Sequence, residues 1–204
     1  MLLALGIGAL GAGTARPTQV ASARSVAALT FDASKIRIAQ DSFGISVAQL
    51  GQGMRAGTEV IEVRKDGANF TFVETIAAAT IGMAGTLTIS LGAGLEPLLL
   101  VGHYSFQGVT GTDSVSVQNG RLIGSTQTPS GPGTMQTHKV DAAMTNGLLL
   151  EEDILIALLP TADLSEGLKG NLSVLDGEKG TVGPLDVTVE GKETIDVPAG
   201  RFEV

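Results

Sequence analysis

The densest group of residues able to do chemistry is the acidic run Glu151-Glu152-Asp153. Three carboxylates could bind calcium or supply a carboxylate pair for hydrolysis. Calcium loops, however, interleave their ligands with glycine and other residues, whereas these acids are consecutive and lie inside an apolar segment, 147–160. That arrangement is typical of a helix N-terminus, where negative charge is stabilising. We therefore expect a helix over this segment, ended by Pro160, with the acids in its first turn.

The two histidines, His103 and His138, offer little for a metal site. Each lies in the middle of an alternating segment, and no H-x-H, H-x₃-H or H-E-x-x-H spacing occurs. A metal site needs three or four converging ligands. No G-x-S-x-G, S-x-x-K or phosphate-loop motif is present either. The sequence predicts no metal, no cofactor and no enzymatic activity, with a hydrolase whose carboxylates converge from separate strands as an alternative.

Composition excludes several classes of function. The chain has 13 Lys and Arg against 21 Asp and Glu, a net charge of −8. Nucleic-acid binding needs a basic face to displace phosphate counterions, so a nucleic-acid partner is not expected. Cysteine is absent, which excludes disulfides and thiolate chemistry.

The N-terminal residues read as a targeting segment. An apolar run, 2–12, is too short to span a bilayer as a helix, which takes about 20 residues. It has the length of a signal-peptide apolar core and is followed by the small-residue site Ala21-Ser22-Ala23, although no basic residue precedes it. We predict a signal peptide over 1–23 and a periplasmic or secreted protein that does not span the membrane. A buried helix is the alternative.

From residue 30 onward the chain consists of short alternating segments separated by turn signals. The clearest hairpins are 58–65 with 69–77 around Asp66-Gly67, and 113–119 with 121–128 around Asn119-Gly120. Further strands are predicted at 30–39, 43–50, 85–91, 96–109, 134–142, 169–176, 184–191 and 192–197. No helices alternate with them, so the fold class is all-β. We expect one domain over 30–204: a curved antiparallel sheet, an open sheet or a half barrel, in one or two layers, with one short helix.

Two details of this sheet are predicted from glycine and proline. The segment 96–109 is one long strand or a strand with a bulge at Gly102. The polar segment 124–134, rich in glycine and proline, is expected to be a flexible hairpin link.

One face of the sheet could receive a ligand. Its candidate lining residues are Leu87, Ile89, Leu91, Val115 and Val117, which alternate with polar residues along two strands. If this face is open and concave, the protein is a noncatalytic carrier of an apolar ligand or a binder of a protein partner. If the face is packed core, the protein is a structural or assembly module.

The chain closes on "VEGKETIDVPAGRFEV", 189–204, with a tight turn predicted at Pro198-Ala199-Gly200 before Phe202. This stretch resembles a family of exported bacterial proteins with a domain of unknown function, loosely over 30–150 and more specifically over 150–204. An upstream Leu159-Pro160 segment is similar as well. The matching motif residues are Val189, Gly191, Glu193, Ile195, Val197, Pro198, Ala199, Gly200 and Phe202.

The resemblance implies a periplasmic or outer-membrane-associated β-protein with no established enzyme activity. It also implies a lipid or an envelope protein as partner. Because chains of the family usually continue beyond the motif, we expect this domain to be truncated at its C-terminus.

Overall fold

A computed structural model describes residues 27–46, 55–145, 147–165, 167–192, 194–197 and 200–203. The predicted signal peptide, 1–23, and the turn residues Pro198 and Ala199 lie outside the described residues. No helix in the described part of the chain has the length and apolar character needed to cross a membrane.

The larger layer is a curved, open antiparallel sheet of eight strands in chain order, β2 to β9. Each strand therefore pairs with its neighbours in sequence, as in a meander of hairpins. The strands are β2 (Gln40–Ser46), β3 (Arg55–Asp66), β4 (Asn69–Ala78), β5 (Met83–Leu91), β6 (Pro97–Phe106), β7 (Val109–Gln118), β8 (Arg121–Gly131) and β9 (Thr134–Ala143).

The hairpins predicted from turn residues are confirmed. Asp66 pairs with Asn69 across Gly67, whose φ is 60°. Between β7 and β8, Asn119 and Gly120 have φ values of 50° and 72°, as a tight two-residue turn requires.

The strand predicted over 96–109 is present as β6, but it ends three residues early, and the alternative with a bulge at Gly102 is wrong. Strand β6 ends at Phe106 because Gln107 and Gly108 both take positive φ and form another tight turn. Gly102 pairs in register with Leu87 and Asp113, and the irregularity lies instead at Ser90 and Leu91.

The smaller layer contains the only parallel pairing among the described strands. Strand β11 (Lys169–Asp176) pairs in parallel with β1 (Ala27–Ala28) and β10 (Leu148–Leu149), and antiparallel with β12 (Thr181–Thr188). A separate hairpin joins β13 (Thr194–Val197) and β14 (Gly200–Glu203), on either side of the predicted turn.

The helix predicted over 147–160 is much shorter. Helix α1 is Leu155–Leu158, followed by a 3-10 turn, Leu159–Thr161, that contains Pro160. The acids 151–153 precede the helix. The reason is that Leu148 and Leu149 form strand β10, whose backbone pairs with β11, so they are not free to begin a helix.

Two strand boundaries also differ from the prediction. Within 30–39, a 3-10 turn, Ala33–Lys35, replaces the strand, because the Asp32 side chain accepts a hydrogen bond from Ser34 N at 2.9 Å and starts the turn. The predicted flexible link, 124–134, is mostly strand: β8 pairs with β9 as far as Gly131.

The core lies between the two layers. Residues on one face of the large sheet, here called the inner face, pack against β10, β11 and α1 in a single apolar cluster. Its fully buried side chains include Phe72 and Ile89 from the sheet and Leu150, Leu158 and Leu172 from the second layer. Each such side chain stabilises the fold by about 1.5–3 kcal/mol relative to exposure.

Candidate functional sites

The five residues proposed to line a ligand-binding face all lie on the inner face. Ile89, Leu91 and Val115 are buried in the core, and Leu87 and Val117 pack against it. The chain's own second layer therefore covers them.

A small cavity remains at one end of this core. It is lined by apolar side chains from β3, β4 and β5, by Ile154, and by the carboxyl groups of Glu74 and Asp153. Its volume is about 10 Å³, which leaves room for a single water molecule and none for a lipid chain.

Three acids converge beside this cavity: Glu59, Glu74 and Asp153. One carboxylate oxygen from each lies within 4.8 Å of the others. Strand register brings the first two together, because Glu59 pairs with Ile76 and Glu74 with Ile61, so both acids share the inner face. Asp153 reaches them from the turn before α1. We call these three residues the carboxylate cluster.

Burial raises the pKa of every member of the carboxylate cluster, and repulsion by neighbouring carboxylates adds to it for Glu59 and Glu74. Desolvation, then the negative charges of Asp153 and Glu59, raise the pKa of Glu74 to about 8. Burial and the Asp153 charge raise the pKa of Glu59, and burial raises that of Asp153. The Glu59 Oε1 atom is buried with no hydrogen-bond partner in the described part of the chain. The cluster is thus held in a poorly solvated site.

Two further acids extend this row along the inner face. Burial raises the pKa of Glu151 to about 7, even though its Oε1 accepts a hydrogen bond from Glu152 N at 2.9 Å. Burial also raises the pKa of Asp113, whose Oδ1 accepts from Gln127 N at 2.7 Å and from the Tyr104 hydroxyl at 3.5 Å. Burial in turn raises the pKa of Tyr104.

This arrangement can hold protons, and its three oxygens are spaced as cation ligands could be. Calcium, however, takes six to eight oxygen ligands, and three carboxylates supply only part of such a shell. Protons shared among the three carboxyl groups remove the repulsion between their negative charges without any further ligand. Carboxyl groups this close to one another do not all ionise together.

Sequence reasoning singled out Asp153 but missed Glu59 and Glu74. A signal was present: Glu59 is in phase with Ile61 and Val63, and Glu74 with Phe70 and Phe72. An acid at an inward position of an alternating strand marks a buried carboxylate.

The opposite face of the large sheet has a different character. Across the four central strands β4 to β7, the outward side chains carry no Lys, Arg, Asp or Glu. We call this surface the outer face. Its members are Thr71, Val73, Thr75 and Ala77; Ala84, Thr86, Thr88 and Ser90; Leu99, Val101, His103 and Ser105; and Thr110, Thr112, Ser114 and Ser116.

Charges flank the outer face on both sides. On β3, Arg64 pairs with Glu62 at 2.6 Å, and beyond β7, Arg121 pairs with Asp141 at 2.6 Å. Charged residues make up 17% of the chain, so sixteen average positions would carry about three of them. Their absence from the centre, with ion pairs at the margins, distinguishes this surface.

The two histidines lie on opposite faces. His103 is exposed in the outer face between Thr86 and Thr112. It lies beside an open groove of about 550 Å³ whose lining also includes the inner-face residues Ile76 and Tyr104. His138 is half-buried on the inner face of β9, with Nε2 2.9 Å from the Thr128 hydroxyl.

Comparison with known proteins places the chain in a family. Residues 42–204 match the family described as "Protein of unknown function (DUF3108)". The chain belongs to this family. The expected membership of a family with a domain of unknown function is thereby confirmed. No curated protein matches the chain, and no solved structure does either.

The DUF3108 match includes both sites described above. Glu59, Glu74 and Asp153 all lie within it, as does the whole outer face. Strand β1 and the 3-10 turn Ala33–Lys35 precede it. The carboxylate cluster and the outer face therefore lie within the matched part of the chain.

Proposed function

We propose that the protein is a noncatalytic exported envelope protein that binds a protein partner through the outer face. The observation that carries this proposal is the absence of charge across β4 to β7. The centres of protein–protein interfaces are depleted of charged residues, and their rims are polar and accessible. The outer face has both properties.

The filled inner face favours the structural or assembly alternative over a carrier of an apolar ligand. An assembly role requires a protein partner, which the outer face could bind. Small-molecule sites are clefts of several hundred Å³ lined by apolar side chains. The cavity at the carboxylate cluster is far smaller, and the second layer covers the five apolar residues expected to line a site. The open groove beside His103 has a volume of about 550 Å³, but threonine, serine and glycine make up most of its lining, so it lacks the apolar walls of such a site. The small volume of the cavity at the carboxylate cluster leaves no room for a substrate between the carboxylates, so we do not propose the hydrolase.

The partner is a different protein with an uncharged contact surface. Each copy of this chain has a net charge of −8, so two copies repel each other as they approach. A heterologous partner need not carry that penalty.

Export to the periplasm or the exterior is part of the proposal. It is supported by the apolar run 2–12, by the Ala21-Ser22-Ala23 site and by the resemblance carried by the Val-Pro-Ala-Gly-x-Phe motif, 197–202. Measuring the intact mass of the mature protein tests it: we expect a chain that begins at Arg24, and an uncleaved chain would contradict export by this signal.

Site-specific photo-crosslinking tests the outer face. Thr86 or Thr112 is replaced by p-benzoylphenylalanine and the cells are irradiated, with Thr137 on β9 as the control position. We expect one protein adduct from positions 86 and 112 and none from 137. Adding Thr86→Glu should abolish the adduct formed at 112, because it places a charge at the interface centre, whereas Thr137→Glu should not.

Three results would overturn this proposal. One is the absence of an adduct at both central positions, and another is an adduct that survives Thr86→Glu. The third is an adduct of twice the chain's own mass, which would assign the face to a second copy. Circular dichroism of each variant checks that the fold is retained.

A further inference from the structure

The residues 150–161, here called the 150–161 segment, lead from β10 towards β11 and lie on the inner face. Leu150, Ile154 and Leu158 recur every four residues and are 1%, 4% and 1% exposed. The backbone hydrogen bonds of the segment's turn and helix are local, such as Leu158 N to Ile154 O at 3.1 Å. Side-chain burial therefore holds this segment to the sheet.

Several acids of the sheet face the polar side of the same segment. From the sheet, Glu59 on β3, Glu74 on β4 and Asp113 on β7 face it, and the Tyr104 hydroxyl of β6 contacts Asp113. The segment contributes its own three acids, 151–153. Within the described part of the chain, the charges that shift the pKa of Glu59, Glu74 and Glu151 are all carboxylates.

We propose that the convergence of Glu59, Glu74 and Asp153 makes the 150–161 segment a proton-operated latch. When the three carboxyl groups share protons, the segment lies closed on the sheet. When all three ionise, their oxygens, within 4.8 Å of one another, repel, and the segment loosens. This inference is independent of the proposed outer-face function.

The segment is the side of the cluster that can move. Strands β3 and β4 are joined by an unbroken register from Thr58 with Ala77 to Asp66 with Asn69. Asp153, by contrast, lies in a turn before a four-residue helix. Repulsion is therefore relieved by displacing the turn, since breaking the strand pairing would cost many hydrogen bonds.

Loosening would expose apolar surface of the inner face around the cavity, including Phe72 and Ile89. The relevant pH lies near neutrality, because the pKa of Glu74 is about 8 and that of Glu151 about 7. The latch is closed in mild acid and opens as the pH rises through these values.

Hydrogen exchange with mass spectrometry tests the latch on the full chain. Exchange of the peptide covering 150–161 is measured at pH 5.5 and pH 8 and corrected for the intrinsic pH dependence of amide exchange. The peptide covering the turn between β7 and β8, 115–124, serves as the internal reference, because it excludes Asp113 and its hydrogen-bond partner Gln127. We expect the protection of 150–161, relative to this reference, to fall at least about tenfold between the two pH values.

Variants separate the cluster from general pH effects. Glu74→Gln should largely remove the fall, because glutamine imitates the protonated acid, whereas Glu178→Gln, an exposed control, should leave it unchanged. Equal protection at both pH values in the unmodified protein would overturn the proposal, and so would an undiminished fall in Glu74→Gln. Calcium chloride added at pH 8 should not restore protection. If calcium restores protection in the unmodified protein but not in Glu74→Gln, the proton latch is overturned and the cluster is a cation site.

Discussion

Replacing Glu74 by glutamine should change stability in a way that depends on pH. Glutamine keeps the size of the side chain and resembles the protonated carboxyl group. Burial and neighbouring acids raise the pKa of Glu74 from 4.5 to about 8 in the folded protein. Because the folded-state value is the higher one, the stability contributed by the bound proton is complete below about pH 4.5. It is lost as the pH rises through about 8.

The magnitude follows from this difference in proton binding. At pH 7 the unfolded chain has released the Glu74 proton, whereas most of the folded protein retains it. Compared with a side chain that does not titrate, this difference lowers the free energy of unfolding by about 3 kcal/mol. Part of this loss arises from coupling to the neighbouring acids, whose own protonation changes when Glu74 is replaced. Glu74→Gln should therefore raise the free energy of unfolding by about 1–3 kcal/mol at pH 7. At pH 5 the gain should be below about 1 kcal/mol, since the unfolded chain then still binds part of the proton.

Urea unfolding at pH 5, 6, 7 and 8 measures this effect. Far-ultraviolet circular dichroism is the appropriate signal, because the chain has no Trp and a single Tyr. Glu178→Gln is the matched control, an exposed Glu in the turn after β11, and should change stability by less than about 0.5 kcal/mol. A Glu74→Gln variant that is no more stable than the unmodified protein at pH 8, or that gains the same stability at pH 5 and pH 8, would show that Glu74 does not hold its proton in this way.

Two substitutions test the packing that surrounds the sites, each by urea unfolding. Gly57→Ala should destabilise by about 1–3 kcal/mol or more, because its Cβ would lie 2.2 Å from a backbone oxygen of β4. Gly183→Ala, with nothing within 4 Å of the new Cβ, should cost nothing, and equal losses in both variants would contradict the close approach. Thr126→Val should cost about 1–3 kcal/mol, because the buried Thr126 hydroxyl donates to Gly177 O at 2.6 Å. Exposed Thr112→Val should be nearly neutral, and a neutral Thr126→Val would show that this bond contributes nothing.

Local patterns in the sequence were sufficient to predict most of the large sheet. Turn residues such as Asn119-Gly120 specify a tight hairpin by their own φ preferences, and alternation then fixes which side chains share a face. Consecutive antiparallel strands need no further information, because each finds its partner next to it in the chain. The sequence therefore predicted the all-β class and most strands of the meander.

Long-range pairing is what the local patterns did not contain. The leucines of β10 were assigned to a helix, since a short apolar run fits either structure. Their partner β11 lies about 25 residues later along the chain and pairs in parallel, so no turn residue marks it. Once these leucines form a strand, the acids 151–153 become a turn over the inner face.

The carboxylate cluster depends on that same turn. Glu59 and Glu74 share a face because of strand register, which alternation predicts, but their approach to Asp153 depends on how the second layer sits on the first. The outer face, by contrast, was recoverable from sequence: in β4 to β7, the positions that alternate with buried residues carry no charge.

Native mass spectrometry of the protein purified from the cell envelope shows whether the chain carries a protein partner. We expect a complex with the mass of one chain plus one different protein, with no excess mass that organic solvent extracts. Thr86→Glu should dissociate this complex, because the outer face forms the contact. An extractable apolar ligand on the chain, or a bare monomer, would overturn the partner proposal.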